Sequence, residues 1–171
     1  ACAGQEADIL VGTQMIVKGH DFPNVTLVGI LAADMSLNAS DYRAGERTFQ
    51  LLTQAAGRAG RGTQAGNVVI QTYQPDHYSI TAAAMQNYQA FYEEEIGYRE
   101  LLRYPQAAHM MAGQICAQDE NAGIQFATRL RAGLENLHAA DLVLIGPASA
   151  GIGKINDIYR MVLYAKSGEY S

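Results

Sequence analysis

At 171 residues, 49% of them hydrophobic, the chain has room for one ordinary domain or two small ones, each with a modest core. A formal net charge of −5 excludes nucleic-acid binding driven by composition alone, because counterion release needs clustered cations; the five lysines and arginines before His77 are outnumbered by acids there too. Two cysteines without partnered spacing, Cys2 and Cys116, exclude a disulfide framework and fit a reducing, cytoplasmic setting, and neither a signal peptide nor an apolar run of membrane-spanning length occurs.

In chain order, Asp8-Ile9-Leu10-Val11-Gly12 is a short apolar run bounded by a charge and a glycine. It predicts a parallel strand covered on both faces. Its carboxyl end carries Thr13-Gln14-Met15 and then Lys18-Gly19-His20-Asp21-Phe22-Pro23, where open α/β sheets collect ligands. The competing, less favoured reading of Asp21 is a turn residue before Phe22-Pro23. Val25 to Leu31 reads as a second strand. From Asp41 the pattern becomes helical, with Asp41 or Ser40 as N-cap and Phe49, Leu52 and Ala56 as the apolar stripe. Gly57 and Gly60 end that helix, and Asn67 to Thr72 reads as a third strand.

Gln74-Pro75-Asp76 breaks the alternation. One long helical stretch is predicted from Tyr78 to Leu102, with Met85, Tyr88, Tyr92 and Ile96 on one stripe and Glu93-Glu94-Glu95 turned mostly outward. The tyrosines could stack on single-stranded DNA bases, but helical spacing favours packing. Tyr104-Pro105 ends the stretch. Beyond it come a strand (Ala108 to Cys116), a helix (Asn121 to His138) and two strands (Leu142 to Ile145, Tyr159 to Tyr164). Gly151-Ile152-Gly153-Lys154 looks like a phosphate loop, but Ala148 and Ile155 stand where that loop needs glycine and a hydroxyl residue, so it is read as the hairpin turn. The expected organisation is α/β: an incomplete lobe with a parallel sheet over 1–77, a helical connection over 78–104, and a small α+β domain over 105–171.

The most informative segment is Gln54-Ala55-Ala56-Gly57-Arg58-Ala59-Gly60-Arg61. Two arginines three apart stand at the frayed end of an amphipathic helix, where small neighbours let a bulky polyanion approach the backbone. A guanidinium stays charged and donates paired hydrogen bonds to phosphate oxygens, so it can stabilise charge in phosphoryl transfer. The competing reading is a flexible basic loop with solvated arginines. No Gly-x-x-x-x-Gly-Lys-Ser/Thr and no Asp-Glu-x-x-His magnesium motif occurs, so the chain alone is expected not to hydrolyse ATP. His20, His77, His109 and His138 lack ligand spacing, and no metal is assigned to them.

Gln-x-x-Gly-Arg-x-Gly-Arg resembles motif VI of superfamily 2 helicases. Gly12-Thr13-Gln14-Met15-Ile16-Val17-Lys18-Gly19-His20-Asp21-Phe22-Pro23 resembles motif V of one of their families, the bacterial replication-restart helicases of the PriA (primosomal protein N′) family. The likeness continues through Asn24 to Val28, Asp41 to Thr53 and Ile70-Gln71-Thr72-Tyr73. It implies a RecA-like second helicase lobe. Arg58 and Arg61 would be the catalytic residues reaching ATP held by a partner lobe, Gly19, Asp21 and Gln54 would lie at the nucleotide and lobe interface, and Thr13 would contact the backbone of the translocating DNA strand. ATP and Mg would be bound mainly by an absent first lobe. The family's cysteine-rich zinc module would lie upstream of residue 1.

The resemblance further implies forked and single-stranded DNA, single-stranded DNA-binding protein and primosome-loading proteins as partners. The activity would be 3′-to-5′ unwinding at stalled forks. A helicase-like module that binds fork DNA or proteins while ATP turnover is dispensable is the alternative. The chain departs from the family at Tyr104-Pro105-Gln106, where a second proline is usual, and at Ala32-Ala33-Asp34, where two aspartates are common. Beyond Pro105 the likeness is thinner. Lys154 and Arg160 are candidates there for phosphate contact or, more simply, solvated hairpin charges. Because it starts just before one strand and stops just after another, the chain is expected to be part of a longer protein.

Overall fold

A computed structural model describes residues 8–13, 24–39, 41–60 and 65–168. The chain divides into two compact units, Ala1–Glu95 and Ile96–Ser171. That division falls inside a helix, within the stretch read from sequence as a connection.

In the first unit, β1 (Leu27–Ile30) and β2 (Asn67–Ile70) pair in parallel, Val28 opposite Val68 and Ile30 opposite Ile70. The crossover between them holds a short 3-10 helix, Ala33–Asn38, and α1, Ala44–Ala56. A parallel pair needs such a crossover, and a helix is its usual form. Phe49, Leu52 and Ala56 are buried as the stripe predicts, joined by Ala44, Thr48 and Ala55. The core cluster adds Ala33, Ile80, Ala82, Ala83 and Phe91, with Ile30 and Ile70 packed against it from the inner side of the sheet.

Three expectations for this unit are corrected. The run Asp8–Gly12 is irregular and exposed, Ile9 at 81%, instead of a covered strand. A strand exists only by exchanging ladder hydrogen bonds, and among the described residues the parallel sheet consists of β1 and β2 alone. Asp41 is not the N-cap of α1: the cap position is Arg43, without a side-chain hydrogen bond. Asp41 instead closes the preceding turn, its Oδ1 accepting from Arg43 N at 3.0 Å while Oδ2 pairs with Arg47 at 2.8 Å. Ser40, the other cap candidate, lies outside the described residues.

The third correction concerns the long helix, which is two helices, α2 (Tyr78–Ala84) and α3 (Tyr88–Leu102). The break is a Schellman turn: Gln86, at φ 49°, donates from N to Ala83 O, and Asn87 N donates to Ala82 O. Asn87 then opens α3 by accepting from Ala90 N at 3.0 Å. Helical phase restarts there, so periodicity counted across the break picks the wrong face. Met85, Tyr88 and Tyr92 are exposed, and the buried row is Phe91, Glu95 and Arg99. Phe91 lies flat on Phe49, ring centres 4.3 Å apart. Glu95, expected outside with Glu93 and Glu94, is buried and accepts from Tyr78 OH at 2.7 Å.

In the second unit, β3 (His109–Ala117), β5 (Ile158–Ser167) and β4 (Val143–Ile155) form an antiparallel sheet in the order β3-β5-β4. Helix α4 (Glu120–Glu135) is capped by Asp119, which accepts from Ala122 N. Its small residues let it lie close: a Cβ on Gly123 would meet Ala117 Cβ at 3.2 Å, and Ala127 is fully buried. The second turn of α3's end repeats the Schellman pattern, with Arg103 at φ 52° and Tyr104 N donating to Arg99 O. Pro105 follows, as predicted from Tyr104-Pro105. Arg99 is buried and donates to Pro105 O and Gln106 Oε1, each at 3.1 Å.

The expected hairpin of β4 and β5 is present, but its turn is Asn156-Asp157, both at positive φ between the paired residues Ile155 and Ile158. Two left-handed residues make the type I′ turn that matches strand twist, and Asn and Asp tolerate that conformation. Gly151-Ile152-Gly153-Lys154 lies inside β4, where the register shifts between Ser149 and Lys154. The α/β lobe followed by an α+β unit is therefore the architecture of this chain, with no helix long and apolar enough to cross a membrane among the described residues.

Candidate functional site

The segment singled out by sequence forms the end of α1. Gly57 N still donates to Thr53 O in α-helical fashion, but Arg58 N and Ala59 N reach only three residues back, to Ala55 O and Ala56 O at 3.0 and 3.1 Å. Such tightening is how a helix satisfies its last carbonyls. Gly60 then turns at φ 72°, and its N donates to Val25 O at 2.9 Å. A Cβ there would stand 2.7 Å from Gly66 N, so only glycine lets the two backbones pass. The glycines that punctuate the motif thus fix where the arginine loop starts.

Gln54 is exposed, and Arg58 is half-buried one turn further along the same side of the helix. A cation at a helix C-terminus also complements the macrodipole, so Arg58 would be favoured there without any ligand. Thr13 is exposed and belongs to the irregular stretch, so it does not stand at the end of a strand among the described residues. Gly19, Asp21 and Arg61, like His20, lie outside the described residues.

The two ends of the parallel sheet are chemically distinct. Gly60 and Val25 lie at its amino end. Asp34 lies at its carboxyl end, buried, with Oδ1 accepting from Tyr73 N at 3.1 Å and from Thr72 Oγ1 at 3.0 Å. The Tyr73 amide, then the carboxylate's own backbone and the Thr72 hydroxyl, hold it below the usual carboxylate range against the opposing effect of burial. A strand rises about 3.3 Å per residue, so the chain from Val25 to Ala32 separates Asp34 from the arginine turn by about 20 Å. Asp34 therefore cannot orient Arg58 directly. Its carboxylate ties the exits of β1 and β2 together, beside the Ala32 N to Gln71 Oε1 bond of 2.6 Å.

Elsewhere the candidate side chains have local partners. Lys154 pairs with Asp157 at 3.0 Å and covers the Tyr159 ring, and Arg160 donates to Gln114 Oε1 at 2.7 Å. His77, set aside as a metal ligand, caps α2 by accepting from Ser79 N at Nδ1. Burial pushes its imidazole below the ordinary value, opposed by the Glu95 carboxylate. Among the described residues no group of three or more His, Cys, Asp or Glu could hold a metal ion. At the end of α1 the amides of Gly57, Arg58, Ala59 and Gly60 are all taken by carbonyls, so the group suited to phosphate oxygens there is the Arg58 guanidinium.

Sequence reasoning missed three buried charges, Glu95, Arg99 and Lys166. Lys166 donates to Leu102 O at 3.1 Å and lies over the Tyr104 ring, with desolvation lowering its pKa. The i, i+4, i+8 row Phe91-Glu95-Arg99 was the available signal for the first two.

No family model matches the chain. Curated relatives do. The replication restart protein PriA of Bacillus subtilis is 44% identical over 155 residues, 91% of this chain and 19% of that protein. That of Synechocystis is 43% identical over 161 residues, covering 94% and 19%, and that of Rickettsia felis 39% over 155 residues, covering 91% and 24%. The chain thus spans about a fifth of the length of the curated relatives it matches. With identities of this size along nearly all of its length, and with the helix-end motif folded as described, the chain belongs to the replication restart protein PriA family.

Proposed function

We propose that the chain is the phosphate-sensing part of the second motor lobe, with part of the C-terminal domain, of an ATP-dependent 3′-to-5′ DNA helicase that remodels stalled replication forks and starts primosome assembly. The observation that carries this reading is the likeness to proteins named for replication restart over 91% of a chain that contains Gln-x-x-Gly-Arg-x-Gly-Arg. The seating of Arg58 on a glycine-fixed helix end supports it.

On this reading Arg58 and Arg61 donate to the oxygens of a γ-phosphate and stabilise the charge that spreads over them in transfer. Gln54, Gly19 and Asp21 line the cleft beside the nucleotide, and Thr13 donates to the sugar-phosphate of the tracked strand without reading bases. ATP with Mg is bound mainly by residues outside these 171, and so is the family's zinc, so the chain by itself is inactive. Forked and single-stranded DNA, single-stranded DNA-binding protein and primosome-loading proteins are the partners, and the cytoplasm is the compartment.

The test is ATP turnover by the full-length parent, with and without forked DNA, for wild type, Arg58→Ala and Arg61→Ala. Loss of a sensor arginine should cost about three decades or more of the DNA-stimulated rate while fork affinity is retained. Equal rates in wild type and Arg61→Ala would overturn the finger assignment and favour a fork- or protein-binding module with dispensable ATP turnover.

A further inference from the structure

The contact between the start of α1 and the α2–α3 pair is tighter than packing alone requires. A Cβ on Gly45 would lie 2.6 Å from Tyr78 OH, 3.0 Å from Glu95 Oε2 and 3.1 Å from Ser79 Oγ. The Tyr78 hydroxyl donates to the same Glu95 oxygen at 2.7 Å, and Glu95 and Ser79 are buried. Glycine is a poorer helix former than alanine, so its presence at the start of α1 invites a local reason. A hydroxyl and a carboxylate occupy the space a methyl group would take. That carboxylate faces the positive end of a helix whose cap residue, Arg43, supplies no side-chain bond. One turn later Phe49 lies flat on Phe91 of α3, so the same two helices are locked twice.

We infer that the Gly45–Tyr78–Glu95 contact is a positioning device: it sets the seat of α1 against α2 and α3 and, through that rigid helix, the place of Arg58 at its other end. A 13-residue helix is about 20 Å long and moves as a body, so a displacement at Gly45 reaches Arg58. Tyr78 and Glu95 touch no nucleotide in this scheme; they act through the helix. The inference rests on the reading of Arg58 as a phosphate sensor.

Gly45→Ala in the full-length parent tests it, since the methyl group must displace the Tyr78 hydroxyl from Glu95 or push α1 off its seat, and either breaks the contact. The expected result is a fall of about ten- to a hundredfold in DNA-stimulated kcat, the scale of an ångström misplacement, with KM for ATP and fork affinity unchanged. Adding Tyr78→Phe removes the nearest atom and should restore most of the rate. Glu95→Gln, which keeps shape and loses charge, is the second variant should Gly45→Ala not fold, and it too should lower kcat alone. Each is repeated on Arg58→Lys, which keeps charge but loses the paired fork. If the device acts through Arg58, the added loss shrinks on that background; fully multiplicative losses, or a change in KM alone, overturn the inference. An Arg58→Lys protein as fast as wild type would instead overturn the sensor reading on which it rests.

Discussion

Phe49→Ala should remove much of what holds the first unit together. Phe49 is 6% exposed and stacks on Phe91 at 4.3 Å, with Tyr88 tilted against it at 6.1 Å. Truncating a buried phenylalanine costs about 3–5 kcal/mol from lost transfer and residual cavity. The ring sits between α1 and α3 and stacks on Phe91, so its loss leaves a gap between two helices, and the middle of that range, about 4 kcal/mol, applies. With a urea m-value of about 2 kcal/mol/M for a unit of this size, the midpoint falls by about 2 M. Urea unfolding followed by far-UV circular dichroism measures it. Leu27→Ala, on a side chain 62% exposed, is the control and should stay within about 0.5 kcal/mol. A Phe49→Ala shift no larger than that of the control would refute the packing of α1 on α3 described above.

Gln86→Gly should stabilise the protein by up to about 1 kcal/mol, because the left-handed conformation at φ 49° costs a side-chain-bearing residue about 1–2 kcal/mol and glycine's added chain entropy returns only part of that; a loss of stability in urea unfolding would mean the Schellman turn is absent. His77 makes stability pH-dependent with a definite sign. Its folded pKa is below 6.5, so between that depressed value and 6.5 the unfolded chain binds more protons, and stability rises with pH through this window and is lost as pH falls. His77→Asn keeps an acceptor for Ser79 N without titrating, and should flatten the dependence of the urea midpoint on pH between 5 and 7.5; an unchanged slope would remove His77 as its source.

The sequence alone determined what depends on local chemistry. The apolar spacing of Phe49, Leu52 and Ala56 fixed the face of α1, Gly57 and Gly60 fixed where it ends, and Tyr104-Pro105 fixed the end of α3. Gln54 to Arg61 could be singled out because its meaning lies in residue types at set spacing, which survive without coordinates. The tertiary structure decided what depends on partners distant along the chain. Asp8–Gly12 has a strand's pattern but no described neighbour to share a ladder with. Asn87 had to be seen capping a new helix before Phe91, and not Tyr88, could be known as the buried ring stacked on Phe49. Glu95 reads as solvated beside Glu93 and Glu94, and only the approach of Tyr78 and the bare backbone of Gly45 makes a buried carboxylate possible. A carboxylate goes inside only where donors and charge meet it, and those come from elements that sequence periodicity does not connect.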